Sequence, residues 1–261
     1  MRLDVYLSST ELCDSRNIAQ SYIENGKVTV NGTVIRKAAY VVPENADVKV
    51  DKTEFNYVAR SAQKLLTACN VFSLDFIKKI AVDLGSSTGG FCQVMLERGV
   101  EKVYAVDIGT AQLHPKIYSD DRVTVMENTN ARYLSVDDFD HQVDIVTCDL
   151  SFISVKYVFQ STYDILKENG EFICLIKPQF EVGKRFVGKN GVVKDKRAVI
   201  MCINEIIDFA VHVGFSAYDI SFSGLEGESG NREFLVYFKK DSEKNKLDPI
   251  KISNVVSGSK Q

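Results

Sequence analysis

Four charged side chains sit at the ends of apolar runs, where a parallel sheet would present them together. Asp83 lies in Ile80-Ala-Val-Asp-Leu84, Asp107 closes Lys102-Val-Tyr-Ala-Val-Asp107, Asp149 follows Gln142–Cys148, and Lys177 follows Glu171–Ile176. Between the first two acids runs Gly85-Ser-Ser-Thr-Gly-Gly-Phe91. An apolar strand, a glycine turn, a helix and a second strand ending in an acid make the nucleotide half of a Rossmann-like domain. Gly85, Gly89 and Gly90 do not fit G-x-G-x-x-G, and Asp83 precedes the first glycine, which points away from a dinucleotide. A cationic, phosphate-free cofactor needs no pyrophosphate cradle. S-adenosylmethionine (SAM) is such a cofactor, and Asp83 can favour its ammonium or sulfonium. Asp107 is placed to accept hydrogen bonds from ribose hydroxyls.

Each of these signals has a plainer explanation when taken alone. Glycine turns after strands are common, and a lysine before a proline often only caps a strand. It is Asp107 that strengthens the glycine turn, and Asp149 at the same expected sheet edge that strengthens Lys177.

The elements that must hold these groups alternate between strand and helix. Arg60–Phe72 is expected to be a helix, with Leu65, Leu66, Cys69 and Phe72 toward the core. Val155–Leu166 is a second helix, closed by Asn169-Gly170, and Ala198–Val213 a third. Gly183–Asp195 is a loop holding glycines and lysines. Phe215–Ser221 and Arg232–Lys239 are candidate strands around a Gly-rich turn. This alternation predicts an α/β fold, a mostly parallel sheet covered on both faces. Ahead of it, residues 1–50 form a small α+β module opened by Leu3, Val5 and Leu7. In that module Ile18, Ala19, Tyr22 and Ile23 recur at helical spacing, and Asn31-Gly32 marks a hairpin. Asp47–Val50 is a further strand. The boundaries expected are 1–58 for the small module with its linker, 59–240 for the large domain and 241–261 for a polar, mobile tail.

Composition removes several function classes. The 261 residues carry a net charge of −3, so nucleic acid contact has to come from local basic patches. The six cysteines (13, 69, 92, 148, 174 and 202) show no metal-ligand spacing, and they are expected to be buried thiols. The three histidines show no ligand spacing either, so no metal is expected. No signal peptide and no membrane-length apolar run are visible, which predicts a cytoplasmic protein with no membrane partner.

Longer strings resemble two known families. Arg2-Leu3-Asp4 with Leu7, Ser15-Arg16 with Ala19, and Gly26-Lys-Val-Thr-Val-Asn-Gly32 are similar to the ribosomal protein S-four type RNA-binding domain. Asp83–Phe91, Tyr104–Leu113, Thr129-Asn-Ala-Arg132, Asp149-Leu-Ser-Phe-Ile-Ser154, Lys177-Pro-Gln-Phe-Glu181 and Gly230-Asn-Arg-Glu-Phe234 resemble FtsJ-like ribose methyltransferases. The combination resembles the TlyA family, called hemolysin A in older naming. One departure lies at Tyr57-Val-Ala-Arg-Ser-Ala-Gln-Lys-Leu65, where the family has Arg-Gly-Gly. Ser61-Ala62 there is expected to extend the helix toward Arg60.

The resemblance implies a SAM-dependent transfer of methyl to a ribose 2′-hydroxyl of ribosomal RNA, with rRNA or ribosomal subunits as partners and no protein partner. It implies Lys64, Asp149, Lys177 and Glu233 as the catalytic set. A hydroxyl is a poor nucleophile, so a base or a cation must support it. Lys177 is the candidate base, with Lys64 beside it and both carboxylates orienting the ammonium groups; a water relay is the alternative. Glu226 and Glu228 lie close to Glu233, which the Asn-Arg-Glu-Phe string favours. Cofactor contacts are expected from Asp83, Gly85, Ser86, Gly89, Gly90, Phe91, Asp107, Asn130 and Asp149. RNA contacts are expected from Arg2, Arg16, Lys27, Arg36, Lys37 and Arg60. Base methylation, a cytolysin and a non-catalytic ribosome-assembly protein are the rival readings. An N/D-P-P-Y/F string would have favoured base methylation, but Asp149-Leu-Ser-Phe152 stands in its place.

Overall fold

The computed structural model describes residues 1–13, 16–24, 26–51, 57–227, 229–241, 243 and 247–258, without the side chains of Asn17, Ile18, Ser21 and Glu24. Ser15, Glu228, most of the expected linker and the last three residues of the tail lie outside the described residues. The chain divides into two compact units, Met1–Asn56 and Tyr57–Gln261.

The first unit contains α1 (Leu3–Ser9), α2 (Arg16–Glu24), β1 (Val28–Val30), β2 (Thr33–Val34) and β3 (Val48–Val50). Its antiparallel sheet has the order β2-β1-β3. Val30 pairs with Thr33 across the two-residue turn Asn31-Gly32. Both turn residues have positive φ, 51° and 77°, as a type I′ hairpin requires. Leu3 and Leu7, one helical turn apart, are fully buried with Ala19, Ile23 and Val28. Val5, expected beside them, is only half-buried because it falls on another face of α1.

The second unit is built on one seven-stranded sheet. Its elements are α3 (Ala62–Phe72), β4 (Ile80–Leu84), α4 (Gly90–Glu97), β5 (Lys102–Val106), α5 (Pro115–Tyr118), β6 (Val123–Met126), β7 (Val143–Cys148), α6 (Phe159–Ile165), β8 (Leu166–Ile176), α7 (Pro178–Glu181), α8 (Lys196–Val213), β9 (Ser216–Glu226), β10 (Arg232–Lys239) and α9 (Pro249–Ser257). The strand order is β6-β5-β4-β7-β8-β10-β9. Strands β4 to β8 pair in parallel, while β10 is antiparallel to both its neighbours. Alternate strand residues feed two cores. Ala81, Val103 and Ile145 meet α3 and α4 on one face. Val82, Val146 and Phe172 meet α6, α8 and α9 on the other. Burial on both faces explains the continuous apolar runs.

Three expectations need correction. The tail is not a mobile strand of polar chain throughout: α9 packs on α8 and β9, burying Ile252 and Val256, with Leu247 ahead of it. The polar residues that surround them in 241–261 hid a short helix whose inner face is apolar. Secondly, Asn169-Gly170 does not close a helix. α6 ends at Ile165, and Asn169, at φ 62°, lies in an irregular stretch of β8 that exchanges hydrogen bonds with the backbone of Lys240. Thirdly, α3 begins at Ala62 rather than Arg60, behind a tight turn in which Gln63 and Lys64 donate to the carbonyls of Arg60 and Ser61. Ser61 has φ −56°, an ordinary helical value, so the Ser-Ala pair fits without a glycine.

All six cysteines are buried. Among the described residues, no helix is long and apolar enough to cross a membrane.

Candidate active site

The strand order reverses between β4 and β7, and the carboxyl ends of the strands beside such a point form a crevice. The residues after β4, β7 and β8 supply Gly85–Gly90, Asp149 and Lys177 to this edge. β10 runs the other way, so its start, not its end, lies there. Phe234 pairs with Ile176, which sets Glu233 beside Lys177 in the register. Lys64 enters from the first turn of α3.

These four side chains form one buried charge network. Lys64 Nζ lies 2.7 Å from Glu233 Oε2 and 3.5 Å from Asp149 Oδ2. Lys177 Nζ lies 2.6 Å from the other Asp149 oxygen and donates to Ser151 Oγ at 2.8 Å. Exposure is 7 % for Lys64, 8 % for Lys177 and 2 % for Glu233, so the charges meet largely away from water. Two cations and two carboxylates balance, which is what burial of charge requires. Burial acts to raise the pKa of Asp149, but Lys64 and Lys177 outweigh it and hold the carboxyl below its ordinary value. The competitor Glu226 is exposed.

A cleft of about 660 Å³ opens over this network, lined among others by Arg60, Asp83, Ser86, Phe91 and Gln179. A second, of about 500 Å³, runs past Asp107, Thr129, Asn130 and Arg132. The two share Gly85, Ser87, Asp149, Ser151 and Phe152, so they are two halves of one crevice.

The cofactor candidates are distributed along it. Asp83 is buried, accepting from Thr147 Oγ1 at 2.8 Å and from Cys92 Sγ at 3.2 Å. Burial, with smaller contributions from Asp149 and Asp107, pushes its pKa up to about 7. Asp107 accepts from the backbone N–H groups of Ser87 (2.8 Å) and Gly109 (2.7 Å). Asn130 caps a short 3-10 turn through its own side chain. Gly85 has φ 82°, and a Cβ on it would lie 2.9 Å from the Asp149 carbonyl oxygen. The missing side chain thus makes room for the neighbouring strand end. Gly90 likewise makes room for Ser61.

The crevice fits the expected cofactor on chemical grounds. It offers a buried carboxyl of raised pKa for a cation and, at Asp107, a carboxylate for ribose hydroxyls, while its second half has space for a base.

Several RNA candidates have internal partners. Asp4, fully buried, receives Arg2 (3.0 Å), Arg16 (2.8 Å) and Gln20 (3.1 Å). The hydrogen bond from Arg2 leads in holding its pKa well below the carboxylate range, against burial. The Arg-Leu-Asp and Ser-Arg strings therefore encode an internal clamp whose guanidinium groups remain half-exposed. Lys27 pairs with Asp51 at 3.1 Å. The Arg36 guanidinium lies over Gly26, and Lys37 is exposed. Arg60 donates to the Glu226 carbonyl at 2.5 Å, bracing the end of β9.

Sequence reasoning passed over Ser151 and Gln179, which contact Lys177 and Glu233. Both lie inside strings already singled out, but their types are too common to mark them.

Comparison with known proteins places both units of the chain in known families. The S4 domain model matches residues 1–48, and the FtsJ-like methyltransferase model matches residues 57–240. The "16S/23S rRNA (cytidine-2'-O)-methyltransferase TlyA" of Mycobacterium tuberculosis is 35% identical over 244 residues, covering 93% of this chain and 91% of the relative. A solved structure from Streptococcus thermophilus, described as a hemolysin, superposes with a TM-score of 0.78 at 35% identity, covering 99% of this chain and 94% of that one. An S-adenosylmethionine-dependent methyltransferase from Listeria monocytogenes shares the fold, with a TM-score of 0.54 at 17% identity over 69% of this chain and 99% of that one. With an S4 domain followed by a methyltransferase sheet, and this similarity along nearly its whole length, the chain belongs to the TlyA family of FtsJ-like methyltransferases.

Proposed function

We propose that the protein transfers a methyl group from SAM to a ribose 2′-hydroxyl of ribosomal RNA, in the cytoplasm, with the S4 unit adding affinity through the RNA backbone. The observation that carries this reading is the buried Lys64–Glu233 and Lys177–Asp149 network, which lines one crevice together with Asp83. The M. tuberculosis relative is named for the same reaction class on rRNA cytidines.

When bound, SAM supplies an electrophilic methyl group on a sulfonium. Asp83 faces a positive charge, Asp107 accepts from ribose hydroxyls, and Asn130 serves the adenine half. Ser86, Gly89, Gly90 and Phe91 complete the turn that supports it. Lys177 receives the proton of the attacking hydroxyl at Nζ. To do so it must first be neutral, and Asp149 would then face a lost cation. Lys64 remains 3.5 Å from Asp149, so the buried carboxylate is never left without a positive neighbour. Lys64 also stabilises the developing alkoxide, which a dry site makes more effective than water would. Glu233 holds Lys64 in place. Arg60, Arg2, Arg16, Lys27, Arg36 and Lys37 are assigned to phosphate contacts, which position the RNA without reading sequence.

The test is methyl transfer from labelled SAM to each ribosomal subunit purified from a strain lacking this gene, with the modified nucleotide mapped. Label on a ribose 2′-oxygen is the expected result. Label on a base, or none on either subunit or whole ribosomes while SAM binds, would overturn the reading.

A further inference from the structure

Two loops at the carboxyl edge carry two members of the charge network, Asp149 and Lys177. Asp149–Ser154 follows β7, and Lys177 with α7 follows β8. At their near ends they are joined by Lys177, which reaches Asp149 and Ser151. At their far ends they are joined by Glu181, the last residue of α7. Its Oε2 accepts from Ser154 Oγ at 2.7 Å, and its Oε1 accepts from the Val155 backbone N–H at 2.8 Å. Between the two ties sits Phe152, with φ 68° and 86 % of its surface exposed, its ring 5.2 Å from that of Phe180. A left-handed conformation at a bulky residue is held only where its surroundings over-determine it.

We infer that Glu181 is a positioning residue for methyl transfer: by fastening Ser154 and Val155 to α7, it fixes the Asp149–Ser154 loop against Lys177. The inference rests on the ribose-methylation reading. Glu181 does not line the crevice. It lines a separate recess of about 430 Å³ with Cys202 and Glu205, so it acts through Ser151 and Asp149 and not on substrate. Its two bonds need acceptor geometry, not charge, and burial already raises its pKa. A glutamine would keep both ties: its carbonyl accepts from Val155, and its amide donates to the Ser154 hydroxyl, which can turn to accept.

The experiment compares full-length wild type, Glu181→Ala, Glu181→Gln, Ser154→Ala and the double variant Glu181→Ala/Ser154→Ala, using the rRNA substrate at saturating SAM. Glu181→Ala should lower kcat at least tenfold while the Kd for SAM moves less than threefold. Glu181→Gln should restore kcat to within threefold of wild type. The double variant should be no slower than Glu181→Ala alone, because Glu181→Ala already removes the bond from Ser154. Amide hydrogen exchange at residues 150–155 should accelerate in Glu181→Ala and not in Glu181→Gln. Wild-type kcat in folded Glu181→Ala would overturn the inference, as would Glu181→Gln as slow as the alanine variant. If wild type transfers no methyl to any rRNA, the functional reading fails. Hydrogen exchange then judges the tie by itself, and unchanged protection in Glu181→Ala refutes it.

Discussion

Asp83 shows how a single side chain can trade stability against binding. Its pKa, about 7 in the folded protein, lies well above the roughly 3.9 of an unfolded aspartate. The folded state therefore holds an extra proton between those values. That stabilisation is complete below about pH 4 and is lost as pH rises through 7. Asp83→Asn removes this dependence. At pH 8 the variant should be more stable than wild type by about 2–4 kcal/mol, and the gap should narrow at pH 5, measured by urea unfolding. Its SAM affinity should fall. In wild type the Kd for SAM should decrease from pH 6 to 8, and in the variant it should stay flat; matching titrations would refute the role of Asp83. Lys177→Ala should reduce methyl transfer by about 10²–10⁴-fold, the range for a lost general base, with SAM binding retained in calorimetry. Near-normal turnover would sink the assignment.

Among the elements, the turn after β4 leaves little room for change. Gly85→Ala meets both a positive φ and the Asp149 carbonyl, so it should cost about 2–4 kcal/mol and displace Asp149. A thermal scan with an activity assay checks both effects. Asp4→Ala should cost the first unit about 1–2 kcal/mol, because it removes the hydrogen bonds from Arg2, Arg16 and Gln20 but leaves half-exposed guanidinium groups that water can reach. Elements of this kind were partly legible in the sequence. Asn31-Gly32 and the runs into Asp83, Asp107, Asp149 and Lys177 announce themselves because local chemistry dictates them. Lys64 and Glu233 became candidates only through family strings, since an isolated helical lysine and a strand glutamate carry no local mark. What brings them together is the reversed direction of β10, a fact of topology. The clamp on Asp4 was invisible for the same reason: Arg2, Arg16 and Gln20 converge only once α1 and α2 pack.

On the scale of the whole molecule, α9 joins the edge of the chain to the catalytic strand. Arg232, next to Glu233, donates to the carbonyls of Val255 and Val256 at the end of α9. Removing residues 247–261 should therefore cost on the order of 5 kcal/mol from the exposed apolar surface and also lower kcat per folded molecule. Circular dichroism and the methyl-transfer assay on one preparation would separate the two losses. The antiparallel β10 has a consequence in time as well as in space. Among the described residues it is the last strand, yet it lies inside the sheet, between β8 and β9. A chain still emerging during its own synthesis can form β4 to β8 and the cofactor half of the crevice early, but it has no Glu233 for Lys64 until β10 has slotted in. Synthesis from the N-terminus thus withholds a finished catalytic centre until β10 has been made.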